Sequence, residues 1–553
     1  MVKVLLFLLW LTFPFLCGGA GLLSEATGIC LWLGGEVVML GYLLLWKREM
    51  KWTMPDLLMF ALTIWGMVRI PWGNGMETLL SGIEWLGMAG LYVLVRQCGV
   101  GHRMWYVVAL AGMVQVFTGG RYFPNPGPYG GYIAMAWIVW NGLFLSEVRR
   151  LGVGRCLLFG AGFLILGWGL VCSDSRSAWL AAAAGSTWGL YGVFPGIFRK
   201  GWEWMRRYRG LWIAGSVVFI GSMLLLYAYK PGSVHGRWLI WRVAVRMFLE
   251  NPWTGQGWGA FGKEYMYAQA TFFREGNAME GSIYASDNWQ VFNEGLHLLC
   301  EQGIIGGVLV GSLLFLLFRR LFGGSIAQSA GIGLSVFSVF SYPASVPALA
   351  VFYPLLAGAS VNEGDFRIRA SGRIGMSVRM IAGVCLITGG VGVVYTIHEV
   401  RMAGGILKQA LGDRGKLAEA LAYFPSMRGQ KDYVLCLGRQ LYKQGRYREA
   451  IPVLEQAAAL RPTTGMLCDL GDCYRRQGRY ADAEYCFLLA RDMVPARLTA
   501  RYHLFGLYRE MDRVEEACVM AREILQTKVK IVNSLTLDIE REARTYLYRF
   551  KPS

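Results

Sequence analysis

About thirteen apolar stretches dominate the first 400 residues of this 553-residue chain. A helix that crosses a bilayer needs about 20 mostly apolar residues and satisfies its own backbone hydrogen bonds. The first stretch lacks a small-residue cleavage site, so we expect a retained anchor. The sequence thus predicts an all-α, polytopic membrane protein with about 13 transmembrane helices. The predicted spans lie near 4–23, 28–46, 55–70, 76–95, 104–119, 129–146, 156–172, 178–198, 211–229, 301–318, 325–341, 346–361 and 380–397.

Charged residues are spread unevenly and predict a domain boundary near residue 400. Residues 1–400 contain 48 charged side chains, whereas the last 153 residues contain 44. We therefore expect a membrane domain over 1–400 and a small, water-exposed domain over 401–553. The net charge is +18. Most basic residues of the membrane half lie between apolar runs, which favours the positive-inside bias of membrane loops over nucleic-acid binding.

The basic connections also predict an orientation. Twenty of the 29 Lys and Arg residues in 1–400 fall in alternate connections, on the side that we expect to be cytoplasmic. An odd number of spans then places the C-terminal domain outside, in the periplasm of a Gram-negative cell. The remaining nine lie on the outer side, where an arginine cluster suits a lipid-linked phosphate. They are Arg69, Arg121, Arg176, Lys230, Arg237, Arg242, Arg246, Lys263 and Arg274.

One outer connection, from about 230 to 300, is far longer than the others. Long connections in compact domains are usually functional or disordered, and this one is rich in aromatic residues and glycine. Its first half predicts an amphipathic helix that ends before Pro252. Arg242 and Arg246 are four residues apart and share a face of that helix, whereas Arg237 lies about 140° around from Arg242.

The tail repeats itself between residues 433 and 527 with a period of 33–34 residues. Leu437-Gly438 recurs as Leu470-Gly471, and Pro462 recurs as Pro495. Small residues at helix crossings and a proline that ends each unit are typical of tetratricopeptide repeats. A solenoid of this type offers a surface for a protein partner. The alternative is a rigid cap that stabilises the membrane domain.

Metal and disulfide chemistry find little support in the sequence. The 12 cysteines include no CxxC pair, and the outer connections contain only His235 and His297. No Walker-type phosphate loop, HExxH or GxSxG motif occurs, and the outer connections contain no DxD pair. We therefore expect a metal-independent reaction without a cofactor, in which arginine charge stabilises an anion.

Four segments on the predicted outer face resemble the superfamily of O-antigen ligases and O-antigen polymerases. The resemblance covers roughly residues 110–320. Its motifs are an Asn-Pro segment over 123–132, Ser175-Arg176, Gly236-Arg237 to Trp241 followed by Pro252 to Phe261, and Asn293-Glu294 to Gly303.

The resemblance implies an all-helical membrane glycosyltransferase in the bacterial cytoplasmic membrane. Its donor would be a glycan on undecaprenyl diphosphate, which the enzyme transfers to a hydroxyl on the outer face. The family's diphosphate-binding arginines correspond to Arg176 and Arg237. Further candidates for substrate binding are Arg121, Asn125, Arg242, Arg246 and Asn293.

The fourth motif departs from the ligase pattern at one position. Ligases carry a histidine, the supposed base, directly before the asparagine of this motif, and here that position is Phe292. His297 lies one helical turn beyond Asn293 and is a candidate to replace the lost group. Glu294 and Glu301 are the other candidates for a base. The departure weakens the assignment to lipopolysaccharide ligation specifically.

The acceptor and the function class stay open at this level. The acceptor hydroxyl could belong to lipid A core, to another glycan in a polymerase, or to a protein, and the repeats favour a protein slightly. A transporter for anionic or lipid-linked substrates is the alternative of another class. In a transporter Glu36 and Glu84, which fall within predicted spans, would form the ion path.

Overall fold

The computed structural model is all-helical apart from one short ribbon. It describes residues 39, 49–70, 76–121, 123, 125–150, 152–276, 279–318, 325–361, 366–369, 390–392, 394–396, 398–411, 413 and 415–549. The ribbon pairs β1 (Glu49–Trp52) with β2 (Phe366–Arg369) in antiparallel register. The predicted fold class is confirmed.

The described residues form two compact units. The first, here called the core unit, contains the described residues of 1–70, 79–229 and 292–401. The second, here called the repeat unit, contains those of 71–78, 230–291 and 402–553. The long outer connection, which the sequence assigned to the membrane domain, thus belongs with the C-terminal repeats.

The helices of the core unit include both long and broken segments. They are α1 (Met54–Val68), α2 (Met76–Cys98), α3 (His102–Phe117), α4 (Pro126–Glu147), α5 (Val153–Cys172), α6 (Arg176–Val193), α7 (Pro195–Arg207), α8 (Arg209–Tyr229), α11 (Glu294–Phe318), α12 (Ile326–Phe340), α13 (Pro347–Ala350) and α14 (Phe352–Ser360). The intervening α9 and α10 belong to the repeat unit. Short 3-10 turns occur at Val148–Arg150 and Pro343–Ser345.

Helix α4 is the centre of the core unit and packs against α3, α5, α6 and α12. Pro126 occupies its first turn, where a missing N–H costs nothing, and the Asn125 side chain caps it. Its side chains Tyr132, Ile133 and Val139 are almost fully buried. Close crossing also needs glycine on α6, because a Cβ on Gly185 would lie 2.8 Å from the backbone oxygen of Ser329.

Four helices in the described part of the chain are long and apolar enough to cross a membrane. They are Pro126–Arg150, Val153–Cys172, Trp212–Tyr229 and Glu294–Phe318. Helix α5 exposes Leu157, Leu164 and Trp168, an apolar surface suited to lipid. The chain is therefore a membrane protein.

The count of thirteen spans is not confirmed. Three apolar helices, Met54–Val68, Ile326–Phe340 and Pro347–Ser360, are shorter than the length that a full crossing needs. The span predicted at 346–361 breaks into α13 and α14. The spans predicted near 4–23, 28–46 and 380–397 lie wholly or mostly outside the described residues, as does Glu36.

The repeat unit contains paired helices and the outer connection. Its helices are α9 (Pro231–Glu250), α10 (Ala260–Arg274), α15 (Lys416–Ala422), α16 (Phe424–Met427), α17 (Lys431–Lys443), α18 (Tyr447–Leu460), α19 (Thr464–Arg476), α20 (Tyr480–Met493), α21 (Leu498–Glu510), α22 (Val514–Gln526) and α23 (Ser534–Arg549). A 3-10 turn spans Met279–Tyr284, and helical backbone spans 402–410. The pairs α17–α18, α19–α20 and α21–α22 pack as successive hairpins.

Glycines allow the close crossing of each of the first two hairpins. A Cβ on Gly438 would lie 2.7 Å from Leu454, and one on Gly471 would lie 2.5 Å from Phe487. Both glycines occupy the repeated Leu-Gly position. The helix α9 follows the amphipathic prediction for the outer connection: it ends at Glu250, before Pro252, and buries Val243 and Met247. The helix α10 was not predicted.

Candidate functional site

The start of α11 brings together the three acid–base candidates of the fourth motif. His297 Nδ1 lies 3.5 Å from Oε2 of Glu294, and His297 Nε2 lies 3.2 Å from Oε1 of Glu301. The three side chains are 19%, 14% and 6% exposed, so the group is screened from solvent but not sealed. Spacings of three and four residues place them on one helical face.

Asn293 and the backbone beyond it hold this group in place. Asn293 Oδ1 accepts a hydrogen bond from the backbone N–H of Leu296 at 2.9 Å and so caps α11. Glu294 Oε1 accepts one from the N–H of Ala344 at 2.7 Å. The helix then breaks at Gly303, whose φ of 65° and ψ of −167° are accessible almost only to glycine. The acid–base group therefore sits on a short, separately oriented helical segment.

The first motif meets the fourth through a tyrosine. Asn125 Oδ1 accepts from the N–H of Gly127 at 3.1 Å, and its Nδ2 donates to the hydroxyl of Tyr342. The Tyr342 ring packs edge-on against Phe292, with ring centroids 5.1 Å apart. Phe292, at the position of the ligase histidine, adopts a left-handed φ of 56°. Thus an aromatic contact occupies the place where the family carries its supposed base.

The second motif packs against the beginning of α4. A Cβ on Gly130 would lie 2.6 Å from Ser173 Oγ and 2.8 Å from Ser175 Cβ. Arg176 is the first residue of α6 and is half-buried. Arg121, by contrast, is exposed in the turn that follows α3. The segments around Asn125, Arg176 and His297 all belong to the core unit.

The other three candidate arginines lie on α9 in the repeat unit. The guanidinium carbons of Arg242 and Arg246 lie 5.2 and 5.1 Å from the centre of the Phe272 ring. Arg246 also forms an ion pair with Glu275 at 2.5 Å. Arg237 is half-buried near the helix start, where His235 stacks on Tyr284 with centroids 4.9 Å apart. Arg242 and Arg246 therefore share a face as predicted, and the Phe272 ring of α10 lies against both of these exposed side chains.

The acid–base group of α11 offers two carboxylates and an imidazole for proton transfer. Each ring nitrogen of His297 faces a carboxylate oxygen, so neither nitrogen is directed toward an incoming hydroxyl. A carboxylate oxygen has two lone pairs, so Glu294 keeps acceptor capacity beyond its bond to Ala344. Among the residues that the structure describes, no group of three or more His, Cys, Asp or Glu side chains is placed to hold a metal ion.

Comparison with protein families agrees with this geometry. Residues 161–311 match the family model for O-antigen ligases. The chain thus contains a region similar to O-antigen ligases. That region includes Arg176, the arginines of α9 and the acid–base group of α11. A second match, to a tetratricopeptide repeat over residues 436–497, covers α17 to α20. No curated protein shows significant similarity to the chain.

The two matches confirm the resemblance and the repeats that the sequence predicts. The ligase region supports a membrane enzyme of ligase or polymerase type with glycosyltransferase-like activity. Substrates of that family are lipid-linked glycans and their acceptors, and the repeats indicate protein interaction. The individual roles of the candidate residues in the ligase region remain predictions.

Several residues near the candidate site escaped the sequence analysis. Tyr342 follows a predicted span and carries no motif, yet it binds Asn125. Phe272 and Gln269 lie on a helix, α10, that no motif marks. Asp287 lies in an irregular segment. Only the Ser-Tyr-Pro sequence at 341–343 offered a local signal for Tyr342, because a proline favours the end of a helix before it.

Proposed function

We propose that this protein transfers a glycan from undecaprenyl diphosphate to an acceptor hydroxyl on the periplasmic face of the cytoplasmic membrane. The observation that carries the proposal is the Glu294–His297–Glu301 group at the start of α11, inside the region that matches O-antigen ligases. A capped helix start beside a helix break gives this group a defined orientation. The orientation of the chain follows from the distribution of basic residues.

In the proposed step the acceptor oxygen attacks the anomeric carbon of the donor sugar. A new carbon–oxygen bond forms while the bond between that carbon and the diphosphate breaks, and undecaprenyl diphosphate leaves with the electron pair. The acceptor's proton passes to the carboxylate of Glu294. Glu294 suits this role because it is more exposed than Glu301, and because both nitrogens of His297 already face carboxylates. His297 and Glu301 then act as positioning residues.

Arginines stabilise the leaving group in this proposal. Negative charge grows on the diphosphate as the glycosidic bond breaks, and preorganised guanidinium groups stabilise that charge most in the transition state. We assign the diphosphate to Arg176 and Arg237, following the family motifs. Arg242, Arg246 and Arg121 supply further positive charge for the approach of the anionic donor. Because arginine provides the charge, we expect transfer to persist when EDTA removes divalent metals.

Asn125 and Asn293 support the site from their helix caps. The Oδ1 atom of each accepts from the backbone of the helix that it starts. In this proposal, their contribution to substrate binding is to hold α4 and α11 at the positions that the substrates require.

The test is transfer by the purified protein in liposomes, with an undecaprenyl-diphosphate glycan as donor. We expect Arg176→Ala and Arg237→Ala to abolish most transfer, while Arg206→Ala on the exposed face of α7 serves as a matched control. Wild-type transfer in both variants would overturn the assigned role of the arginines. Movement of the donor across the bilayer without a covalent product would instead favour a transporter.

A deletion strain identifies the acceptor. Loss of the enzyme leaves lipid-linked glycan unused, and the glycoconjugate that disappears from a blot is the product. Loss of glycan on lipid A core indicates ligation, loss of long chains indicates polymerisation, and loss of a glycoprotein indicates a protein acceptor. An unchanged glycan profile together with an absence of transfer in liposomes would contradict the proposal.

A further inference from the structure

We propose that the C-terminal repeats act within their own chain, by holding the helix pair α9–α10 and thereby setting the positions of Arg242 and Arg246. The inference deepens the proposed function, on which it rests. It replaces an unidentified protein partner with a defined occupant, residues 260–276 and 279–289 of the same chain. Its support comes from contacts inside the repeat unit.

Helix α10 binds the second helices of the first two repeats. It packs against α18 and α20. Gln269, which is 1% exposed, donates from Nε2 to the backbone oxygen of Met493 at 2.6 Å, and its Oε1 accepts from Tyr265 at 2.6 Å. A buried amide with both ends bonded is costly to break, because its partners lose their hydrogen bonds in a dry environment. This contact therefore specifies how α10 sits on the repeats.

The tyrosine preceding Gln269 by one half-turn makes a second contact. The hydroxyl of Tyr267 donates to the backbone oxygen of Ala458 at 3.4 Å. Burial raises the pKa of Tyr267 to about 12, so the hydroxyl stays protonated and able to donate across the physiological range. Gln269 and Tyr267 thus bind carbonyls near the ends of α20 and α18, the second helices of two successive repeats.

Asp287 binds the beginning of α19. Its Oδ1 accepts from the N–H of Thr464 at 2.8 Å, and its Oδ2 accepts from the Thr464 hydroxyl at 3.0 Å. The N-terminus of a helix offers unpaired N–H groups and a positive dipole end, which a carboxylate satisfies. Oδ2 also forms an ion pair with Arg497 at 2.5 Å. Thr464 and Arg497 are 33 residues apart, so Asp287 binds equivalent positions of two consecutive repeats.

Two further contacts hold the end of α10 and the end of the segment. Arg274 donates from both Nε and Nη2 to Oδ2 of Asp492 at 3.1 Å. The guanidinium of Arg461 lies 4.8 Å from the centre of the Trp289 ring. The connections that end each repeat, at Pro462 and Pro495, therefore lie beside this surface.

Phe272 joins this bound segment to the candidate substrate arginines. Its ring lies one turn or less from Gln269 and Arg274 on α10, and it packs beneath both Arg242 and Arg246. The cation–ring contacts limit the freedom of two long side chains. Release of α10 from the repeats would remove the platform that orders these guanidinium groups.

The test is a charge reversal at Asp287 in the full-length protein, read by hydrogen exchange and by transfer kinetics. We expect Asp287→Arg to raise exchange in residues 260–274 and to lower kcat/KM about tenfold, mainly through a higher KM for the donor. Adding Arg497→Asp to this variant should restore part of the protection from exchange and part of kcat/KM. The matched control is Asp538→Arg, which disrupts an exposed pair with Arg541 in the same unit. Gln269→Leu, of similar size, provides a second variant.

The outcomes separate this inference from the proposed function. Unchanged exchange in 260–274 in both Asp287→Arg and Gln269→Leu would overturn the inference whatever the activity. Faster exchange with wild-type transfer kinetics would also overturn it, because the repeats would then not set the arginines. If the wild-type protein shows no transfer, the proposed function fails, and the exchange data alone decide whether the repeats hold α10.

Discussion

The Nε2 atom of His297 lies 3.2 Å from a carboxylate oxygen of Glu301, one helical turn further along α11. Its other nitrogen faces Glu294, so one imidazole bridges two acidic side chains. A histidine in this setting orients carboxylates more readily than it accepts a proton from substrate. The three residues accordingly have distinct expected phenotypes.

Replacement of Glu294 tests the proposed proton acceptor. Glu294→Gln preserves the shape and the acceptor for Ala344, but an amide takes no proton, so we expect kcat to fall about 100-fold or more. His297→Gln should reduce kcat less, because it disturbs only orientation. Glu203→Gln, at an exposed position of α7, is the control. Steady-state transfer kinetics show which variant loses more kcat. A wild-type kcat in Glu294→Gln would refute the role of Glu294 as proton acceptor.

Substitutions of Asn125 distinguish its role as a helix cap from its tertiary hydrogen bond to Tyr342. Asn125→Asp keeps the acceptor for Gly127 and loses the donor to Tyr342, whereas Asn125→Ala loses both. We expect Asn125→Ala to lower the free energy of unfolding by about 1 kcal/mol more than Asn125→Asp does. Thermal unfolding in detergent measures the difference. Equal effects of the two substitutions would show that the cap contributes nothing.

Gly303 determines the direction of the acid–base segment. Its φ and ψ angles lie in a region that only glycine occupies without strain, so Gly303→Ala should cost about 1–3 kcal/mol and reduce transfer. Gly311, in the same helix, has open space around its Cα, and Gly311→Ala should leave transfer unchanged. Thermal unfolding and transfer assays check both variants. Equal behaviour of the two would contradict the importance of the break.

Two cysteines can report the orientation of the protein in the membrane. Cys156 and Cys172 are both exposed and stand near opposite ends of α5, beside Arg155 and before Arg176. In spheroplasts we expect a membrane-impermeant maleimide to label Cys172, and to label Cys156 only after permeabilisation. The variants Cys172→Ser and Cys156→Ser identify the two signals. The reverse pattern would place the candidate site on the cytoplasmic side.

His503 makes the stability of the repeats depend on pH. Burial against Phe487 lowers the pKa of its imidazole below the ordinary 6.5; Asp472 opposes this shift and Arg475 adds to it. Between the lowered pKa of the folded chain and the ordinary value of 6.5, the unfolded chain binds a proton that the folded chain excludes. Stability is therefore full above pH of about 6.5 and falls as the pH drops below it. His503→Phe should flatten this dependence in calorimetry between pH 7.5 and 5.5. A pH dependence identical to that of the wild type would show that His503 is not the group responsible.

Local patterns were enough to predict the classes of structure in this chain. Apolar runs predicted α4, α5, α8 and much of α11, because a bilayer demands length and hydropathy that are visible in any window. The 33-residue period predicted the repeats, because each hairpin needs the same small residues at its crossing. Residues such as Arg242 and Arg246 shared a face as expected, since helical spacing alone determines that.

Hydropathy windows did not predict where helices break or begin. The run at 346–361 seemed continuous, yet it divides at Val351 into two short helices. Helix α11 begins at Glu294, ahead of the predicted span, because Asn293 caps it. A window average does not register a cap or the left-handed backbone of Gly303.

The sequence by itself determined that the protein spans a membrane, contains a region similar to O-antigen ligases and carries tetratricopeptide repeats. Only the tertiary structure decided that the outer connection belongs to the same unit as the repeats. The contacts that join them pair residues about 180 to 220 positions apart, such as Asp287 with Thr464 and Gln269 with Met493. Several of these bonds, those that involve Met493, Ala458 and the N–H of Thr464, end on backbone groups of the repeats. A backbone amide or carbonyl is present at almost every position, so its use as a partner leaves no mark in the sequence.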